Sequence, residues 1–193
     1  MYTRLSVLLS LIVMISLTAC GNVATAVSTE PAVKEFRSDT GGFSVMTAVE
    51  LQEQVFPAVT MGVTRPEIHS FSGQLNGSSY GVSYYTLSEY YASSGADPSS
   101  ASPESILGIA DYYFFIDGLS GSPITLGADG DYHRELSFEH QENKYKARLV
   151  LAENPDHPDG DGNRVYAVFV SSPTSSFDEV AADDFLNSFQ VLK

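Results

Sequence analysis

Apolar and polar positions alternate through much of this chain, and the alternation predicts short strands. Phe36 to Met46 holds a turn, Asp39 to Gly42, followed by Phe43 and Val45 at every second position, which predicts a hairpin. Gln52 to Val59 and Glu67 to Gln74 extend the strand pattern. Asn76-Gly77 is a tight-turn dipeptide, and it leads into a strand with Tyr80, Val82 and Tyr84 on one face. These segments form an antiparallel meander.

The period then changes. Ala92 to Ser102 is rich in Ser, Ala, Gly and Pro and predicts a loop. Ser102-Pro103-Glu104 opens a helix: the serine caps free N–H groups, the proline suits the first turn and the glutamate suits the dipole. Ile106, Ile109, Ala110, Tyr113 and Phe114 give it an apolar stripe, and Gly118 ends it.

Ile124–Leu126, Tyr132–Gln141 and Lys144–Ala152 predict three more strands. After the loop Asn154 to Asn163, Val165 to Val170 is almost continuously apolar, so it belongs at the centre of a sheet covered on both faces. A terminal helix, capped by Ser176, carries Phe177, Val180, Ala181, Phe185 and Phe189 on one side. Two helices separated by strands predict an α+β fold: an α/β/α sandwich with a central, mostly antiparallel sheet and helices on both faces.

The first residues follow a different logic. Arg4 precedes thirteen positions, Leu5 to Leu17, that are predominantly apolar, and Leu17-Thr18-Ala19-Cys20 closes the stretch. A permanent span needs about 20 apolar residues. This stretch is shorter and resembles a bacterial lipoprotein signal peptide, residues 1–19. The resemblance implies acylation of Cys20 and cleavage after Ala19, so that the chain is exported and held to a bacterial membrane by lipid, its domain outside the cytoplasm. Residues 20–32 are small and polar and make a flexible tether, leaving 33–193 as one domain.

Charge narrows the partners. The formal net charge is −14, which repels phosphate backbones and disfavours nucleic acid as a ligand. It also repels anionic headgroups, so acyl chains rather than a basic patch must hold the membrane. Cys20 is the only cysteine, so no disulfide forms within the chain.

Four motifs resemble a known group. Phe36-Arg-Ser-Asp-Thr-Gly-Gly-Phe-Ser-Val45, Gly130-Asp-Tyr-His-Arg134-Glu135 with Asn163-Arg164-Val165-Tyr166, and Phe185-Leu186-Asn187-Ser188-Phe189 occur in the order seen in small exported bacterial lipoproteins of unknown function with a PsbP-like fold. The resemblance spans nearly all of the expected mature chain and implies the fold. It implies no activity; PsbP proteins themselves are non-enzymatic subunits of a photosynthetic complex.

Candidate chemistry is sparse. Asp156, Asp159, Asp161 and Asn163 could supply oxygens to calcium, though the EF-hand spacing fails at Arg164 and Val170; the other reading is a polar turn. None of His69, His133, His140 and His157 has another His or Cys at ligand spacing. His133 and Glu135 share one strand face and are the candidate catalytic pair, with Arg134 on the other face in a structural ion pair or hydrogen-bonded to a loop. Tyr84, Tyr85, Tyr90, Tyr91, Tyr112, Tyr113, Phe114 and Phe115 are core residues or, in the alternative, an aromatic binding surface. No nucleophile elbow or phosphate loop is present. The expectation is therefore a non-enzymatic binding or scaffold module at the cell envelope with no catalytic residue and no cofactor, engaging an envelope protein or a small ligand. The alternative is a metal-dependent or hydrolytic enzyme built on His133, Glu135 and the acidic loop 154–163.

Overall fold

The computed structural model describes residues 31–57, 59–60, 63–64, 66–95, 101–114, 121–153 and 163–192. Cys20, the leader, Gly118, Tyr112's side chain, Phe115, His157 and the acidic loop's Asp156, Asp159 and Asp161 lie outside what is described.

The fold is a sheet-dominated α+β arrangement in which every strand pair among the described residues is antiparallel. Strands β1 (Lys34–Ser38) and β2 (Phe43–Thr47) form the expected hairpin, and β2 also pairs with the final strand β12 (Gln190–Val191). The main sheet contains β3 (Gln52–Phe56), β6 (Ile68–Leu75), β7 (Ser78–Thr86), β8 (Thr125–Leu126), β9 (Tyr132–His140), β10 (Asn143–Ala152) and β11 (Arg164–Pro173). Its order is β3-β6-β7-β11-β10-β9-β8, and β4 (Val59–Thr60) pairs separately with β5 (Val63–Thr64). Two meanders thus meet at the β7–β11 seam.

The apolar run Val165–Val170 occupies the middle strand, as its composition requires. Its alternate side chains enter two different cores. Tyr166, Val168 and Val170 join Val82, Tyr84, Val150, Phe43 and Val45, together with Ala182, Phe185 and Leu186 of α3 (Glu179–Asn187). Val165 and Ala167 join Leu149, Leu151, Tyr85 and Leu136, together with Leu87 and Tyr90 of α1 (Leu87–Ser94) and Ile106, Leu107 and Ala110 of α2 (Pro103–Phe114). The sheet face bearing Tyr166, Val168 and Val170 is face 1, and the face bearing Val165 and Ala167 is face 2.

Several details depart from expectation. Helix α1 was not foreseen, although Thr86 caps the Glu89 N–H and Gly95 closes the helix at φ 69°. In α2 the buried set is Ile106, Leu107 and Ala110, with Leu107 at 0% exposure in place of Ile109, which is 36% exposed. Three-to-four spacing admits either residue, and the packing of α2 against the second core decides between them. Ser102 caps α2 as expected, with Ser102 and Ser105 exchanging backbone-to-hydroxyl hydrogen bonds. The cap of α3 is Asp178, whose carboxylate accepts from the Val180 and Ala181 N–H groups at 3.0 Å; Ser176 ends a short 3-10 turn instead. Val180 is 70% exposed, and Ala182 and Leu186 take the buried places. No helix among the described residues is long and apolar enough to cross a membrane.

Candidate functional site

The antiparallel register lines up His133, Val150, Tyr166, Tyr84 and His69 in one row across face 1. The two histidines sit toward opposite edges of the sheet, with three strands between them. Each meets carboxylates of its own.

His133 follows the turn between β8 and β9. Its Nε2 lies 3.1 and 3.2 Å from the two carboxylate oxygens of Asp129, and the Asp131 N–H donates to the same carboxylate. Partial burial pushes the Asp129 carboxyl up, but the hydrogen bonds from His133 and Asp131 outweigh it and hold it below the usual range. The turn is tight here: a side chain on Gly127 would come within 2.7 Å of the His133 ring.

Glu135 shares the face of His133 but has a different partner. Its carboxylate accepts from Nε of Arg148, the residue opposite it on β10. The same guanidinium donates to the Leu186 carbonyl and to Oδ1 of Asn187, each at 2.9 Å. Arg148 therefore closes the C-terminal end of α3, which carries no basic residue in its own last turn. The two residues named in the enzyme alternative have separate partners: His133 meets the Asp129 turn, and Glu135 meets the arginine that holds a helix end.

His69, toward the opposite edge of the sheet, stacks on Tyr84 with centroids 4.8 Å apart and planes within 6°. Its Nδ1 lies 3.0 Å from Glu53 and its Nε2 3.3 Å from Glu67. The two carboxylates thus meet different edges of the ring, so they cannot share one ion with it. The Arg164 guanidinium lies over the Tyr84 ring at 5.3 Å. Among the described residues no cluster of three or more histidine, cysteine or acidic side chains has metal-site geometry. Asn163 is the only member of the acidic loop candidate that is described; its carbonyl accepts from the Leu87 N–H at 2.9 Å and joins the loop's end to the start of α1.

The motif residues meet one another. Tyr166 donates its hydroxyl to the Gly41 carbonyl at 2.8 Å, and its ring packs edge-on to Phe43. Burial raises the Tyr166 phenol; the adjacent Arg164 opposes this through a hydrogen bond and its charge. Phe189 stacks on Phe43, and the Met46 N–H donates to Oγ of Ser188 at 3.0 Å. Gly41 and Gly42 are small because Arg164, Tyr166 and Phe43 press against the turn. Of the aromatic set, Tyr84, Tyr85 and Tyr90 are buried, and Tyr91, Tyr113 and Phe114 pack beside the second core.

A further polar row had no single motif to reveal it. Lys144, Lys146 and Arg148 project from alternate positions of β10 onto α3. Lys144 pairs with Glu179, Lys146 with Glu179 at 3.2 Å and with Asp183 at 2.6 Å, and Arg148 with the helix end. The cationic alternation in the strand and the i, i+4 acids in the helix were both legible. Their juxtaposition required the topology.

No family model, no curated protein and no solved structure matches this chain.

Proposed function

We propose that this chain is a lipid-anchored protein of a bacterial envelope, tethered through Cys20, whose domain is a PsbP-like α/β/α sandwich and acts as a non-enzymatic binding or scaffold module. The observation that carries the reading is the way the motif side chains are used. Tyr166 holds the Gly41 turn, Ser188 holds β2, and Glu135 with Arg148 holds the end of α3. These are contacts that preserve a shape, and a preserved surface is what a binding module needs. The division of α1–α2 and α3 between the two cores supports the sandwich. The leader before Cys20 supports the anchor.

The test is native material from membranes. Mass spectrometry should find an N-terminal, acylated Cys20, and Cys20→Ala should move the domain out of the membrane fraction. Pull-down of the lipidated protein should then recover an envelope component reproducibly. An unmodified thiol would refute the anchor, and consistently empty pull-downs would refute the module.

A further inference from the structure

The strands that end the two larger sheets differ in how they are guarded. A strand edge invites a further strand, and proteins prevent this with very short edge strands, lysine, proline or a bulge. Among the described residues, β8 ends the main sheet and β12 the hairpin sheet with two residues each. β1, at the other edge of the hairpin sheet, carries Lys34 and Arg37. β3, at the other edge of the main sheet, runs for five residues, Gln52 to Phe56, with no lysine, arginine, proline or glycine among them. Its register with β6 runs from Gln52↔Ser72 to Phe56↔Ile68 without a bulge.

This edge is exposed, partly apolar and acidic. All five residues of β3 are exposed, Val55 at 45% and Phe56 at 38%. Glu53 and Val55 lie on face 1, opposite Phe71 and His69, and Gln52, Gln54 and Phe56 lie on face 2. The Glu53 carboxylate is held by Nδ1 of His69 at 3.0 Å, Glu67 meets the other ring nitrogen at 3.3 Å, and Glu50 is exposed just before the strand. Between Arg37 and Arg134 the sequence has one lysine or arginine, Arg65, which lies outside the described residues. Arg164 reaches over Tyr84, two strands in from the edge.

We propose that β3 takes up an extended basic segment of a partner protein as an added antiparallel strand. The inference rests on the binding-module reading and names its partner class. In strand addition the backbone ladder supplies affinity and the alternate side chains supply specificity. An antiparallel partner sets one residue opposite Glu53 and another, two positions away, opposite Val55. The first should be lysine or arginine and the second β-branched, with an apolar residue opposite Phe56 on the other face. Charge selects this occupant over a second copy of the chain. Self-pairing centred on Gln54 would bring the Glu53 carboxylates of both copies onto adjacent strands and join two bodies of net charge −14 each. A basic segment converts the same carboxylates into attraction.

The experiment titrates the full chain, purified in detergent, with the end-blocked peptide Thr-Phe-Val-Thr-Lys-Thr-Lys. Binding should slow hydrogen exchange of the β3 amides. The same peptide with glutamate for both lysines should bind about tenfold more weakly or worse. A version N-methylated at every peptide bond keeps the charge but cannot donate to a ladder, and it should not bind. Glu53→Lys should reverse the preference, favouring the glutamate peptide. Asp184→Lys, the same charge change on α3, should leave the preference intact. Both variants should melt with the parent, and the N-methylated peptide decides the matter even where Glu53→Lys does not fold. The proposal is overturned if the basic peptide fails to bind at millimolar concentration, if N-methylation or Glu53→Lys leaves its binding unchanged, if exchange at β3 does not slow, or if sedimentation shows the chain pairing with itself through β3. An envelope component pulled down equally by Glu53→Lys and the parent would sink the β3 edge while leaving the module standing.

Discussion

Tyr166 and Gly41 are 125 residues apart in sequence and joined by a buried 2.8 Å hydrogen bond from phenol to carbonyl. The bond fastens the middle strand of the main sheet to the turn of a separate hairpin. Tyr166→Phe keeps the ring and its contacts with Phe43 and Phe189 but leaves the Gly41 carbonyl without this donor. The expected loss is about 1–3 kcal/mol. For a domain of this size that is a fall of roughly 3–10 °C in Tm. A melt within a degree of the parent would show that the bond contributes nothing.

The same turn tests a steric argument. Gly42 sits at φ 66°, and a side chain there would come within 2.3 Å of Nη1 of Arg164. Gly77 sits at φ 83° with open space around it. Gly77→Ala should therefore cost only the left-handed conformation, about 1–2 kcal/mol. Gly42→Ala should cost that and more, because Arg164 must also leave its place over Tyr84. Denaturant unfolding of the two variants measures the difference. Equal losses would mean that Arg164 yields freely.

Much of this fold was legible because local chemistry and tertiary role agree. Asn76 and Gly77 both have positive φ, as a two-residue hairpin turn requires. The apolar run of β11 could only be central. Where one pattern fits two structures, the sequence left a choice. Thr86, Glu89 and Gly95 signal a helix, but the aromatic residues between them also fit the end of a strand, and the local pattern alone does not select α1. Ser176 and Asp178 are both good caps; Phe177 adopts an extended backbone between them and shifts the helix start to Asp178. The candidate site was harder. Sequence spacing correctly puts His133 and Glu135 on one face, but only the topology brings Arg148 and the end of α3 to Glu135 and the Asp129 turn to His133.

The choice between Leu107 and Ile109 in α2 is directly testable. Leu107 is fully buried between α2 and the sheet. Leu107→Ala should cost about 2–5 kcal/mol through lost burial and the cavity left behind. Ile109→Ala, at a partly exposed position, should stay within about 1 kcal/mol of the parent. A reversed ranking in chemical unfolding would mean that α2 is rotated about its axis relative to this description.

The ion pairs between β10 and α3 set a pH window. Hydrogen bonds from Lys144 and then Lys146 hold the Glu179 carboxyl below its usual 4.5. Its contribution is complete above that value and is lost as pH falls through the lower, folded one. Lys146 runs the other way. Partial burial lowers its ammonium pKa, but Asp183 and Glu179 overcome this and raise it above 10.5. Its contribution is complete below that value and is lost as pH rises through the folded one. The contribution of these ion pairs should therefore be flat between the two limits and fall outside both. The groups are near the surface, so each pair contributes only about 0.2–1 kcal/mol and less at high salt. Glu179→Gln should flatten the acid limb and reduce the alkaline one, with a modest fall in Tm at neutral pH. Asp184→Asn, one position along the helix from Asp183, should leave both limbs intact. Melting curves from pH 3 to 11 at low and high salt decide the matter: limbs in Glu179→Gln identical to those of the parent would mean that Glu179 contributes nothing to holding α3.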